Sequence, residues 1–132
     1  MNINCLILLL SACVALSGCD QAKYRGLDGR AALERADRMD LEQAYKWYIE
    51  TYKGTHPAML DVAETFERFG AQGATYIALK AQNAGDPQEF EADMRALLIL
   101  NNKCTSELAN KLFAKAQALR KDRHLVELAC GL

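Results

Sequence analysis

The chain has 132 residues, 51% of them apolar, and its 16 basic and 17 acidic side chains leave a net charge of −1. That balance is far from the strongly basic surface that nucleic-acid binding requires. The charge is nonetheless polarised. Residues 20–101 carry 14 acidic and 10 basic side chains, a net of −4, and residues 102–132 carry 3 acidic and 6 basic, a net of +3.

The first predicted element is a leader. Between Ile3 and Leu16 the only polar residues are Asn4 and Ser11. A run of that length suits the core of a secretion signal and falls short of the roughly 20 residues of a membrane-spanning helix. It ends in Leu16-Ser17-Gly18-Cys19, which resembles the bacterial lipobox: an apolar residue and two small ones before an obligatory cysteine. The resemblance implies that residues 1–18 are a signal peptide, that the Cys19 thiol receives a diacylglycerol, and that cleavage leaves Cys19 as the first residue. It also implies a protein anchored by lipid to the cell membrane and facing the periplasm, each buried methylene contributing about 0.8 kcal/mol. Asp20 is similar to the signal that retains such lipoproteins in the inner membrane of enteric bacteria, so that membrane is slightly favoured.

Removing 18 residues from 132 leaves 114, enough for one domain with a modest core. Residues 19–29, CDQAKYRGLDG, show no periodicity and read as a lipidated tether. From residue 30 to residue 132 the signals are helical. Glu34–Arg38, Glu42–Lys46, Glu64–Arg68, Glu91–Arg95 and Glu107–Lys111 are all spaced i, i+4 in the favourable orientation. No stretch combines strand alternation with turn chemistry on both sides.

Caps place the helices. A short one is expected over 30–37. Asp40 and Gln43 form a capping box for a helix over 41–53, ended by Gly54. Its apolar face is Leu41, Ala44, Tyr45, Tyr48, Ile49 and Tyr52, with Trp47 to one side. Pro57 suits the first turn of the next helix, with Met59, Val62, Ala63, Phe66 and Phe69 inward. Gly70 and Gly73 break the chain before a helix over 73–84 carrying Tyr76, Ile77, Leu79 and Ala81. Asp86, Pro87 and Glu89 then open a helix whose inward residues are Phe90, Met94, Leu97 and Leu98. The apolar LLIL at 97–100 makes it the expected central element. Thr105 or Ser106 caps a helix reaching about residue 121, and a short apolar tail follows.

DPQEFEADMRALLIL at 86–100 resembles the second helix of a HEAT-type repeat, with Asp-Pro opening the helix and an Arg-Ala-Leu run at 95–97. FGAQGATYIALKAQNAG at 69–85 is similar to the helix and loop that precede it in such repeats. The resemblance begins at Pro57 and implies a short stack of antiparallel helix pairs; a small helical bundle is the other all-α arrangement the pattern permits.

Export changes what the cysteines mean. Cys5 and Cys13 leave with the leader and Cys19 is lipidated, so Cys104 and Cys130 remain in an oxidising compartment. A disulfide between them is expected to contribute about 3–4 kcal/mol. Because a 105–121 helix would separate them, bridging requires either an extended tail or a helix that breaks early, near Leu119.

No nucleophile elbow, HExxH helix or Gly-rich phosphate loop is present in the sequence. His56 and His124 have no Cys or Ser at motif spacing, so neither a metal centre nor a cofactor is expected. Glu89, Glu91 and Asp93 fan around a helix and read as a solvated face. Among the aromatics of YKWYIETY at 45–52, Trp47 is the candidate partner-contact residue.

The expected role is non-enzymatic binding of another envelope or periplasmic protein, with the membrane engaged through the N-terminal lipid and no nucleic acid. An immunity lipoprotein that neutralises a toxin delivered into the periplasm is the favoured form. The alternatives are an accessory piece of an envelope or secretion assembly and, from another class, a hydrolase of cell wall or lipid.

Overall fold

In the computed structural model, which describes residues 22–132, side-chain caps set most helix boundaries. Asp28 accepts from the Ala31 amide and opens α1 (Gly29–Ala36). Asp40 and Gln43 exchange hydrogen bonds in a complete capping box at the start of α2 (Leu41–Lys53), which Gly54 ends. A 3-10 helix (Asp61–Phe69) precedes α3 (Ala71–Gln82). Asp86 caps α4 (Pro87–Ile99) through the Gln88 amide, with Pro87 in the first turn. Thr105 caps α5 (Ser106–Ala118), and Asp122 caps α6 (Arg123–Cys130). Among the described residues the fold is all-α, and no helix there is long and apolar enough to cross a membrane.

The helices pack in consecutive pairs. α3 packs on α4 and α5 on α6, and the pairs meet through α3 against α5 and α4 against α6. Two contacts fix the direction of the α4–α6 pair. Lys121, just before α6, bonds Glu91 near the start of α4 at 2.7 Å, and the Cys104 amide, just beyond α4, donates to the Cys130 carbonyl at 3.2 Å. The two helices therefore run parallel. At the other end α1, α2 and the 3-10 helix pack together, and α2 and the 3-10 helix also contact α4. α4 touches elements of both ends, and Phe90, Ala92, Met94, Ala96 and Leu97 are buried, in keeping with its expected central place.

Four local expectations are corrected. Helix α3 starts at Ala71, so Gly73 lies inside it. A Cβ at Gly73 would stand 2.7 Å from the Phe66 carbonyl oxygen, so this glycine permits close approach to the 3-10 helix. The segment after Pro57 becomes helical only at Asp61; Thr55 Oγ1 instead accepts from the Met59 amide in a local turn. Leu79 and Leu98, expected inward, are 57% and 45% exposed. Burial of Ala92, Asp93 and Ala96 shifts the inner face of α4 away from Leu98, while Leu79 stands opposite Ile77 on α3. The last residues of the expected tether are also ordered onto the domain. Tyr24 and Leu27 exchange backbone hydrogen bonds at 2.9 Å around a turn, and the Tyr24 ring meets Trp47 edge-on at 5.4 Å between centroids.

Candidate functional site

Trp47, the expected partner contact, is buried at 4% exposure. Its Nε1 donates to the Ala32 carbonyl at 3.0 Å, and the Arg35 guanidinium lies 4.4 Å from its ring centroid. Residues of α1 and the Tyr24 turn cover the side of α2 that helical periodicity alone leaves open. Trp47 is thus a core residue, and the assignment as a contact residue fails.

Cys104 and Cys130 form a disulfide, with Cα atoms 4.7 Å apart. Of the two geometries that permit the bridge, the early break is the one found. α5 ends at Ala118, Leu119 is its C-cap, and the tail is helical. Cys19 lies outside the described residues. His56 is exposed, and His124 is exposed with Nδ1 3.2 Å from Glu127 Oε2. Among the described residues no cluster of His, Cys, Asp or Glu has the arrangement of a metal site.

The polar centre of the molecule is a seam between α2 and α4. Tyr45, Tyr48 and Tyr52 recur along one face of α2, and each hydroxyl donates into residues 91–93 of α4. Tyr45 Oη donates to Asp93 Oδ1 at 2.9 Å, Tyr48 Oη to the Ala92 carbonyl at 2.7 Å, and Tyr52 Oη to Glu91 Oε1 at 2.9 Å. Lys53 closes the end of the seam on Asp86 at 2.6 Å and Glu89 at 2.9 Å. Glu89 is held by this lysine and does not close a capping box with Asp86. Glu91 also takes Lys121 at 2.7 Å and Arg95 at 3.2 Å. The solvated face expected of Glu89, Glu91 and Asp93 is therefore an interhelical contact surface. The sequence carried the signal for it: tyrosines at 45, 48 and 52 need polar partners once their rings are buried.

Electrostatics in the seam follow from burial. Asp93 is fully buried, and its Oδ2 has no hydrogen-bond partner among the described residues. Loss of water pushes its carboxyl up to about 8, despite the Tyr45 hydrogen bond acting in the opposite direction. Burial also raises the Tyr45 and Tyr48 hydroxyls and pushes Tyr52 up to about 12. Glu91 moves the other way, held below the usual carboxylate range chiefly by the Lys121 ammonium.

Two open grooves flank α5. One, of ≈ 430 Å³, is lined by Phe113, Ala114, Ala116, Gln117, Lys121 and Arg123. The other, of ≈ 440 Å³, is lined by Gln82, Asn83, Lys111, Ala114, Lys115 and Ala118. Neither brings a nucleophile together with an acid or base, so the chemistry they offer is contact with apolar and anionic groups. No protein-family model, curated protein or solved structure matches this chain.

Proposed function

We propose that the protein is a lipid-anchored, periplasm-facing envelope protein that acts by binding another protein, in the form of an immunity lipoprotein against a toxin delivered into the periplasm. The observation that carries this reading is how the reactive groups are used. Tyr45 and Tyr52 bond Asp93 and Glu91 across α2 and α4, and Glu89 and Glu91 also pair with Lys53 and Lys121. What faces solvent is a ridged helical surface with open grooves beside α5. Stacked helix pairs present such surfaces to protein partners. The lipobox-like Leu16–Cys19 supports anchoring at the membrane, where an incoming toxin would act.

Deletion of the gene, followed by growth in contact with wild-type kin, tests the reading. The deletion strain should be outcompeted, and expression of the wild-type chain should restore it. Expression of the Cys19→Ala variant, which cannot be lipidated, should not. A deletion strain that grows as well as its parent in contact, but shows an envelope defect when grown alone, would contradict the immunity role and favour the accessory one.

A further inference from the structure

Lys111, Ala114, Lys115 and Ala118 follow one another at i, i+3, i+4 and i+7 and form one face of α5. The two alanines are exposed and leave the helix low between lysine stems. Beyond the helix, Arg120, Lys121 and Arg123 extend the positive charge. The Arg123 guanidinium lies 4.1 Å from the Phe113 ring centroid, and its Nε is 3.3 Å from Glu127. A stacked guanidinium with Nη groups to spare suits bidentate pairing with a carboxylate. Among the described residues Lys115 and Arg120 make no ion pair.

The turn also carries one of three non-glycine residues with positive φ among the described residues, the others being Arg25 and Asn101. Arg120 has φ of 56°, directly after the α5 C-cap, where the Lys121 amide reaches back to the Ala116 carbonyl at 2.8 Å. Glycine or asparagine ordinarily fills that left-handed position, and an arginine there is strained.

Resting on the binding function proposed above, we infer that the α5 face and the Arg120–Arg123 turn form a docking surface for an acidic segment of the partner protein. Carboxylates would meet Lys111, Lys115, Arg120 and Arg123, and apolar side chains would sit over Ala114 and Ala118. A protein segment is favoured over the membrane by position. The tether enters at α1, which packs on α2 and the 3-10 helix, whereas α5 and α6 pack on α3 and α4 at the other end.

The test uses the mature lipoprotein in phosphatidylcholine nanodiscs and a fluorescent peptide of alternating glutamate and leucine, read by anisotropy. Lys111→Gln with Lys115→Gln should weaken binding by at least about tenfold, with the unfolding midpoint lowered only slightly by loss of the Lys111–Glu107 pair. Arg120→Gly should weaken binding while raising the midpoint, because it removes charge and strain together. Equal binding by wild type and the double variant would overturn the proposal, as would equal binding of a glutamine–leucine peptide. Protection of Lys111 and Lys115 from amine labelling only in phosphatidylglycerol discs would assign the face to lipid and overturn it as well. A physiological partner that binds wild type and double variant alike would overturn this surface and leave the binding function standing.

Discussion

The Tyr45 hydroxyl donates to Asp93 at 2.9 Å, and this one bond occupies a carboxyl whose second oxygen is buried without a partner among the described residues. Burial raises the Asp93 carboxyl to about 8, so the folded protein holds a proton that the unfolded chain releases near the ordinary 3.8. The sign follows from linkage. Between those values the folded state binds more protons, so stability falls as pH rises, by up to about 1.4 kcal/mol per unit. The penalty is absent below about 3.8 and complete above about 8. Asp93→Asn retains an acceptor for Tyr45 and cannot ionise. Urea midpoints of wild type and variant should be similar near pH 4, with the variant increasingly the more stable toward pH 8. Curves that stay parallel across that range would show that Asp93 is not protonated in the fold.

Trp47→Ala should destabilise the domain by about 3–5 kcal/mol, the usual cost of truncating a large buried aromatic. The loss includes the Ala32 hydrogen bond and the surface on which Tyr24 rests. Trp47→Phe should cost less, retaining apolar contact without the Nε1 donor. Denaturant unfolding measures both. An Ala variant as stable as wild type would contradict the core placement.

Reducing the disulfide, or replacing Cys104 and Cys130 together with serine, should lower stability by about 3.5 kcal/mol in the chain-entropy estimate for a separation of 26 residues. Thermal unfolding with and without reductant reads this directly. Hydrogen exchange should rise first in α6, which the bridge ties to the segment before α5. Identical melting temperatures under both conditions would contradict the bridge's role.

The caps made much of this fold readable in advance. Asp40, Asp86 and Thr105 act locally, so their residue types and spacing located the starts of α2, α4 and α5 to within about two residues. The Cys104–Cys130 pair was readable because setting aside the expected leader and the expected lipidated cysteine leaves two thiols to pair. What escaped sequence reading depends on neighbours distant in the chain. Trp47 looked exposed on the periodicity of α2 alone, and it is buried because α1 and the Tyr24 turn close over it. Asp93 looked solvated on the periodicity of α4, and it is buried because Tyr45 approaches from a helix 48 residues earlier. The α5 groove was equally hidden, since Gln82 and Asn83 join it from α3.

The native N-terminus tests the anchoring proposal. Protein isolated from its own membranes should begin at Cys19 and carry the added mass of acyl chains, and Cys19→Ala should accumulate as the unprocessed precursor. A native protein beginning at Met1, or lacking acyl mass, would remove the lipid anchor from the account.

The central claim, that this protein works by holding another envelope protein, is tested most directly by site-specific photo-crosslinking in living cells. A photoreactive residue replaces Ala114, which is exposed on α5, or Val126, which is fully buried on α6. Ala114 should yield a discrete adduct with one envelope or periplasmic protein, and Val126 should yield none. No adduct from Ala114, together with hydrolysis of peptidoglycan or phospholipid by the purified protein, would contradict the claim and assign the chain to enzymes.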